Sequence, residues 1–102
     1  MTVKVPAITI TSQPKSVTTV PGKAVSFSVA ATGNGLTYQW QHSTNGGKTW
    51  SNNGSTGSTT NTLQLNSSLV ILSRNGMQFR CVITDVNGNK EYSNAAVMTV
   101  KA

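Results

Sequence analysis

Two carboxylates, one imidazole and one thiol are the first candidates for acid–base or nucleophilic chemistry in this 102-residue chain: Asp85, Glu91, His42 and Cys81. Glycoside hydrolysis needs two carboxyl groups that face each other across a sugar-binding cleft. Asp85 and Glu91 instead flank one turn signal, the "NG" at 87–88. The sequence therefore predicts a solvated pair of acids at a hairpin.

His42 and Cys81 lie on neighbouring predicted strands and nominally point to the same side, as a thiol–imidazole pair would. Cys81 sits in mid-strand among apolar residues, which favours a buried structural role over a nucleophile. One cysteine allows no intrachain disulfide, and one His, one Cys and two distant acids fall short of the four ligands of structural zinc. We predict no catalytic residue, no metal and no cofactor.

The stretch "STNGGKTW", residues 43–50, fits the pattern Ser-x-Asp/Asn-x-Gly-x-Thr-Trp and resembles the Asp-box hairpin of sialidase-type β-propellers. A propeller needs at least four four-stranded blades, which 102 residues cannot supply. The stretch therefore predicts a hairpin, in which Ser43, Asn45 and Thr49 hydrogen-bond the turn. Trp50 then either folds back over the turn or forms an exposed platform for a sugar ring.

The charge balance is strongly basic, with eight Lys plus Arg against two acids and a net charge of +6. The basic residues are scattered singly, with no aromatic residues interleaved among them as stacking platforms, which argues against nucleic acid. Attraction to anionic glycans, teichoic acid or a capsid surface stays open. No apolar run approaches the roughly 20 residues of a membrane helix, so no membrane insertion is predicted.

Positioning these side chains requires strands, which the chain encodes as short alternating segments between Asn-Gly turn signals. In "LTYQWQ", Tyr38 and Trp40 share one face while Gln39 and Gln41 share the other. Half-buried strands at this spacing indicate an all-β, antiparallel sandwich or small barrel. Residues 51–62, "SNNGSTGSTTNT", predict a mobile polar loop, and residues 67–76 a crossover with some apolar anchoring.

Four segments together resemble an immunoglobulin-type domain: "PGKAVSFSVAATG", "YQWQ", "TLQL" and "NGMQFRCVITDVNG", followed by a closing strand "SNAAVMTV". The resemblance implies an immunoglobulin-like antiparallel β-sandwich with Greek-key topology and about seven to nine strands. Val29 occupies one cysteine position, so Cys81 is expected to pack as a small hydrophobe near Trp40, and Phe79 replaces the corner tyrosine. The expected structural core residues are Val29, Trp40, Phe79 and Cys81.

This variant is similar to Ig-like domains found as tandem modules in bacterial surface and secreted proteins, and sometimes in phage structural proteins. The resemblance implies a non-catalytic structural or adhesive module, extracellular or on the bacterial cell surface, beside neighbouring Ig-like modules. The alternatives are an accessory carbohydrate-binding module of a secreted glycoside hydrolase and a phage capsid decoration or tail domain. Residues 1–7 would be a leader or linker and 8–102 the single domain.

The expected partner is a glycan or a host or cell-surface protein. Amides and a guanidinium lie on the predicted solvent face of the sheet formed by "YQWQ", "MQFRCVI" and the closing strand, beside an aromatic ring, and they suit either ligand. Val82 alternates onto the same face. The candidate ligand-binding residues are Trp50, Gln39, Gln41, Gln78 and Arg80.

Overall fold

The computed structural model describes residues 8–102, and the predicted leader at residues 1–7 lies outside this range. Ten strands dominate the described part, so the all-β prediction is confirmed. Two short 3-10 turns, Ser67–Leu69 and Leu72–Arg74, are its helical segments. The strands are β1 Thr9–Ser12, β2 Val17–Thr19, β3 Val25–Ser28, β4 Ala30–Thr32, β5 Thr37–Ser43, β6 Ser51–Asn52, β7 Thr62–Leu65, β8 Met77–Thr84, β9 Lys90–Tyr92 and β10 Ala96–Val100.

The strands form two layers. One sheet has the order β2-β10-β8-β5-β6, with β9 also paired to β8, and the other layer contains the pairs β1-β4 and β3-β7. The long antiparallel pairing of β5 with β8 runs from Thr37↔Thr84 to Ser43↔Gln78. One pairing departs from the antiparallel expectation, since β2 runs parallel to β10. The chain thus moves from one layer to the other between β1 and β2.

Ten segments correspond to seven strands because three strands are interrupted. The backbone N–H of Val29, between β3 and β4, still donates toward the β7 side, to the Asn61 carbonyl at 3.0 Å, whereas β4 pairs with β1. Between β9 and β10, the Ser93 N–H donates to the Cys81 carbonyl at 2.9 Å, and the Cys81 N–H donates to Ser93 Oγ at 2.8 Å. A third break separates β1 from β2 around the buried Pro14. Proline has no N–H to donate, so it belongs at a ladder interruption.

The core lies between the two layers and contains all four predicted core residues. Phe79 stacks on Phe27 with ring centroids 4.8 Å apart, and both rings are buried. Trp40 and Cys81 are directly opposite each other in the β5–β8 register and are fully buried. Burial of a large apolar side chain contributes roughly 1.5–3 kcal/mol. The buried cluster comprises Ile8, Phe27, Val29, Trp40, Leu63, Leu65, Val70, Phe79, Cys81, Ile83, Ala96, Met98 and Val100.

The polar segment at residues 51–62, predicted to be a mobile loop, contains the short strand β6 and a series of hydrogen-bonded turns. Residues 51 and 52 form β6, residue 62 begins β7, and the turns between them bond to both layers. The N–H of Trp40 donates to the Ser58 carbonyl at 2.7 Å, its Nε1 donates to the Thr60 carbonyl at 2.8 Å, and the Gln64 N–H donates to the Thr56 carbonyl at 2.8 Å. The amino-acid composition shows only that this segment has little apolar surface to bury. Its backbone is held instead by hydrogen bonds to strand edges.

Gly57 is required within this segment. Its φ is +78°, and an added Cβ would lie 2.0 Å from the Thr62 carbonyl oxygen. Only glycine combines that backbone conformation with so close an approach. The polar segment therefore has a defined path along one side of the sandwich.

The crossover between β7 and β8 is anchored as expected. Val70 is fully buried between the two 3-10 turns, and its carbonyl accepts a hydrogen bond from the Gly22 N–H at 3.0 Å. Asn75, which follows the second turn, accepts a bond from the Val100 N–H through Oδ1 at 2.9 Å. Among residues 8–102, no helix is long and apolar enough to cross a membrane.

Candidate functional site

The stretch at residues 43–50 folds into a turn that satisfies its own polar groups. Ser43 Oγ donates to Asn45 Oδ1 at 2.8 Å and accepts from the Gly47 N–H at 2.9 Å. Asn45 Nδ2 donates to Thr49 Oγ1 at 2.7 Å, while its Oδ1 accepts from the Thr49 N–H at 3.0 Å. Trp50 Nε1 closes the turn by donating to the Gly47 carbonyl at 3.1 Å. The turn thereby fixes the position of the Trp50 ring at the edge of the sheet.

Arg80 is held by two aromatic rings. Its guanidinium carbon lies 4.4 Å from the centroid of the Trp50 ring and 4.7 Å from the centroid of the Tyr92 ring. Both distances are within the roughly 6 Å over which a cation is attracted to an aromatic face. Trp50 is half-buried and its ring face is covered by the guanidinium, so it is not a bare sugar platform.

The side chain of Gln41 connects this stack to the sheet edge. Arg80 Nε donates to Gln41 Oε1 at 2.9 Å, and Gln41 Nε2 donates to Asn52 Oδ1 at 3.0 Å. Gln41 and Arg80 are directly opposite each other in the β5–β8 register. Cross-strand pairs of this kind lie within side-chain reach, so each residue limits the rotamers of the other.

The other two predicted face residues turn toward neighbouring backbone. Gln39 Nε2 donates to the carbonyls of Trp40 and Asn53, at 2.8 and 3.2 Å. Gln78 packs on the turn, since a Cβ added to Gly47 would lie 3.2 Å from Gln78 Oε1. Of the five predicted residues, Trp50, Gln41 and Arg80 therefore contact one another. Gln39 and Gln78 lie beside them and contact the neighbouring backbone and turn.

Two features of this surface differ from the sequence reading. Val82 is only 8% exposed, because Gln39 and Tyr92 lie directly opposite it on the two adjacent strands. Tyr92 itself, 49% exposed, was not among the predicted site residues. The signal was available: β9 follows a hairpin after β8, and strand alternation puts Tyr92 on the side of Val82 and Arg80. We call Gln41, Trp50, Arg80 and Tyr92 the Arg80 face.

Asp85 and Glu91 do not form an acid pair across a cleft. Asp85 is largely covered and accepts hydrogen bonds from Asn89 Nδ2 and from the backbone N–H groups of Asn87 and Asn89, at 2.9–3.0 Å. The bond from the Asn89 side chain, together with these backbone bonds, lowers the pKa of the Asp85 carboxyl. Glu91 is exposed on β9, opposite Ile83. Asp85 is thus a structural acceptor inside the hairpin, not the solvated group that was predicted.

His42 and Cys81 are each occupied in a structural role. His42 Nδ1 lies 3.2 Å from Asn53 Nδ2. Burial raises the pKa of the Cys81 thiol from 9.0 to about 12, so the thiol is protonated at neutral pH. A protonated thiol is a poor nucleophile and a poor metal ligand. Within residues 8–102, no three His, Cys, Asp or Glu side chains come together as they would around a metal ion.

A family model described as "Domain of unknown function (DUF8696)" matches residues 7–102 of the chain. The chain belongs to this family. The match spans every strand of the described structure, including the Arg80 face. Among curated proteins, none matches this chain.

Solved structures of immunoglobulin domains share the fold of this DUF8696 member. The tandem Ig repeats of Dlar are 23% identical with a TM-score of 0.66, covering 96% of this chain and 49% of theirs. A domain of Duf (Kirre) is 18% identical with a TM-score of 0.63, covering 92% of this chain and 96% of its own. For Sidekick-1 immunoglobulin domains 1-5 the values are 15% and 0.65, with 92% and 19% coverage. The chain is therefore an Ig-like β-sandwich, as predicted.

Proposed function

We propose that this DUF8696 domain is a non-catalytic adhesive module of an extracellular bacterial protein, and that it binds a macromolecular partner through the Arg80 face. The observation that carries the proposal is the guanidinium of Arg80 held between two aromatic rings and one amide on an open sheet surface. Neighbouring Ig-like modules in the parent protein would present this face at a distance from its anchor.

The composition of the Arg80 face supports a binding role. Tryptophan, tyrosine and arginine are the residue types that most often dominate binding energy at protein interfaces. Here the three are already ordered against each other, so little side-chain entropy remains to be lost when a partner docks. Tyr92 is the most accessible of the three, at 49% exposure.

Charge indicates which partner would fit. The hydrogen bond of Arg80 goes to a neutral amide rather than to a carboxylate, so its positive charge is not neutralised by that contact. The chain as a whole carries a net charge of +6. An acidic protein surface or an anionic polymer would complement both the local and the overall charge.

The non-catalytic part of the proposal is supported by the candidate chemical groups themselves. The thiol of Cys81 is buried and protonated, and the carboxylate of Asp85 is engaged by the turn that it stabilises. Turnover of chromogenic glycosides that disappeared in Asp85→Asn or Glu91→Gln would overturn this part of the proposal.

Binding through the Arg80 face can be tested on immobilised acidic probes: mucin, fibrinogen and dextran sulfate. Surface plasmon resonance should show saturable binding to at least one probe, weakened about 10-fold or more in Arg80→Ala, a loss of about 1.4 kcal/mol. Lys23→Ala removes one positive charge from an exposed position outside the Arg80 face and is the matched control, expected to retain binding. Absence of binding to all three probes, or equal losses in the two variants, would contradict the proposal.

A further inference from the structure

A polar concavity lies on the other side of β5 from the Arg80 face and shares none of its residues. His42 follows Gln41 in the strand, so its side chain points to the opposite side. It lines an open cleft of about 600 Å³ between the end of β5, the segment after β6, the crossover and the start of β8. We call it the His42 cleft, and its walls include His42, Thr44, Asn53, Asn66, Arg74 and Met77.

The hydrogen bonds of Asn53 fix which nitrogen of His42 carries the proton. Asn53 Oδ1 accepts from the Ser55 N–H at 2.7 Å, which identifies the other amide atom as the donor nitrogen. That nitrogen is 3.2 Å from His42 Nδ1, so Nδ1 is the acceptor. In the neutral ring the proton then resides on Nε2. His42 therefore brings to the cleft wall an N–H donor in an orientation that Asn53 holds.

Arg74 supplies a positive charge to the same cleft. It is half-buried, and Nη1 donates to the Leu69 carbonyl at 3.2 Å, which anchors one edge of the guanidinium. No Asp or Glu is among the residues of the described chain that line the cleft. The guanidinium of Arg74 thus has no carboxylate partner within the cleft. A ligand carboxylate could accept two parallel N–H hydrogen bonds from it.

The remaining walls combine apolar and hydroxyl or amide groups. Leu69 and Met77 are half-buried and pack against the core, so they offer apolar surface that is fixed in place. Thr44 and Asn66 are exposed beside them. A pyranose ring likewise combines apolar and polar groups, with C–H groups on its faces and hydroxyls around its rim. The volume is also within the roughly 300–1,000 Å³ of small-molecule sites.

We propose that the His42 cleft binds an acidic monosaccharide unit, a hexuronate within or at the end of a glycan. Its carboxylate pairs with Arg74, its hydroxyls accept from His42 Nε2 and bond to Asn66, and its C–H face rests on Leu69 and Met77. This site does not depend on the Arg80 face, and either one can exist without the other.

The test is a titration of the 15N-labelled chain with methyl glucuronide, followed by NMR chemical shifts. Saturable shifts are expected at His42, residues 53–56 and Arg74, with methyl glucoside binding about 10-fold more weakly because it lacks the carboxylate. Arg74→Gln should weaken methyl glucuronide binding by about 10-fold, and Arg80→Gln should leave it unchanged.

Three outcomes would overturn the cleft proposal. They are no saturation by roughly 10 mM methyl glucuronide, identical affinity for the glucoside, or shifts of the same size with acetate alone. Asn53→Ser separates positioning from folding: the folded variant should keep the carboxylate contact of Arg74, but its glucuronide-induced shifts at His42 should be smaller because Asn53 no longer orients the ring. Loss of acidic-probe binding in Arg80→Ala, with an unchanged glucuronide titration, would support both sites independently.

Discussion

The Arg80 face and the His42 cleft each hold an arginine, but they hold it in different ways. Arg80 lies on an open sheet surface, where two aromatic rings and the amide of Gln41 fix it through side-chain contacts. Arg74 lies at the wall of a concavity, where a backbone carbonyl fixes one edge of its guanidinium. The same charged group thus suits an extended surface in one place and a small ligand in the other.

Asn53 connects the two regions without making them one site. Its carbonyl accepts from Gln39 on the side of the Arg80 face, and its side chain bonds His42 on the side of the cleft. Since a backbone carbonyl survives side-chain substitution, changes to the Asn53 side chain should affect the cleft before they affect the face. The comparison between the two regions can therefore be tested with single substitutions.

Trp50→Ala should have the largest effect and should act on the face alone. Truncation of a fully buried large aromatic side chain to alanine lowers the free energy of unfolding by about 3–5 kcal/mol. Because Trp50 is half-buried, the free energy of unfolding of this variant should be lower by about 2 kcal/mol. Urea denaturation measures this loss, and acidic-probe binding should fall with it. Trp50→Phe, which keeps a ring but loses the Nε1–H bond to Gly47, is the control with a smaller loss. A weakened glucuronide titration in folded Trp50→Ala would show that the two regions are coupled.

Alkaline pH should lower the stability of the core through the buried thiol of Cys81. The unfolded Cys81 thiol loses its proton near 9.0 and the folded one near 12, so between these values the unfolded chain binds fewer protons. Stability should therefore fall as pH rises above about 9, by at most about 1.4 kcal/mol per pH unit, and this thiol contributes no slope well below that pH.

The matched control for this pH dependence is Cys81→Ala, which removes the thiol while lysine and tyrosine titrations remain. The difference between the two urea midpoints plotted against pH isolates the contribution of Cys81. Parallel curves for the two proteins would mean that the thiol is not shielded in the folded chain, contrary to its position opposite Trp40.

The smallest expected effect is the coupling between Arg80 and Tyr92. A double-mutant cycle with Arg80→Met and Tyr92→Leu, measured on the free energy of unfolding by urea denaturation, should give an interaction energy of about 0.5–1 kcal/mol, because Arg80 is half-buried and Tyr92 is exposed. Arg74→Met combined with Tyr92→Leu is the reference cycle, and its two effects should add. A coupling near zero in the first cycle would mean that Tyr92 does not hold the guanidinium of Arg80 in place.

Parts of the site were predictable because strand alternation is a local property. The period of two puts Gln39 and Gln41 on the other face of their strand from Trp40, and it puts Arg80 on the other face of its strand from Cys81. The turn at 43–50 was predicted in detail, since Ser43, Asn45 and Thr49 hydrogen-bond within eight residues. Such bonds depend on short stretches of chain and need no knowledge of distant partners.

Other parts depend on contacts between distant segments. Trp50 stacks on Arg80 only because β5 pairs with β8, and the backbone of residues 51–62 bonds to Trp40 and Gln64. The His42 cleft combines residues from positions 42 to 77, and no sequence motif marks it. Asp85 resembled a solvated acid until the hairpin placed three hydrogen-bond donors around it.

The sequence by itself determined an all-β sandwich, the buried faces of its strands and the tight turn before Trp50, because alternation and turn chemistry act over a few residues. Only the tertiary structure decided that Trp50 and Tyr92 enclose Arg80, that the polar segment docks on both layers, and that His42 and Arg74 share a cleft. Those arrangements depend on strand register and on backbone bonds between segments far apart in the chain, which local patterns do not specify.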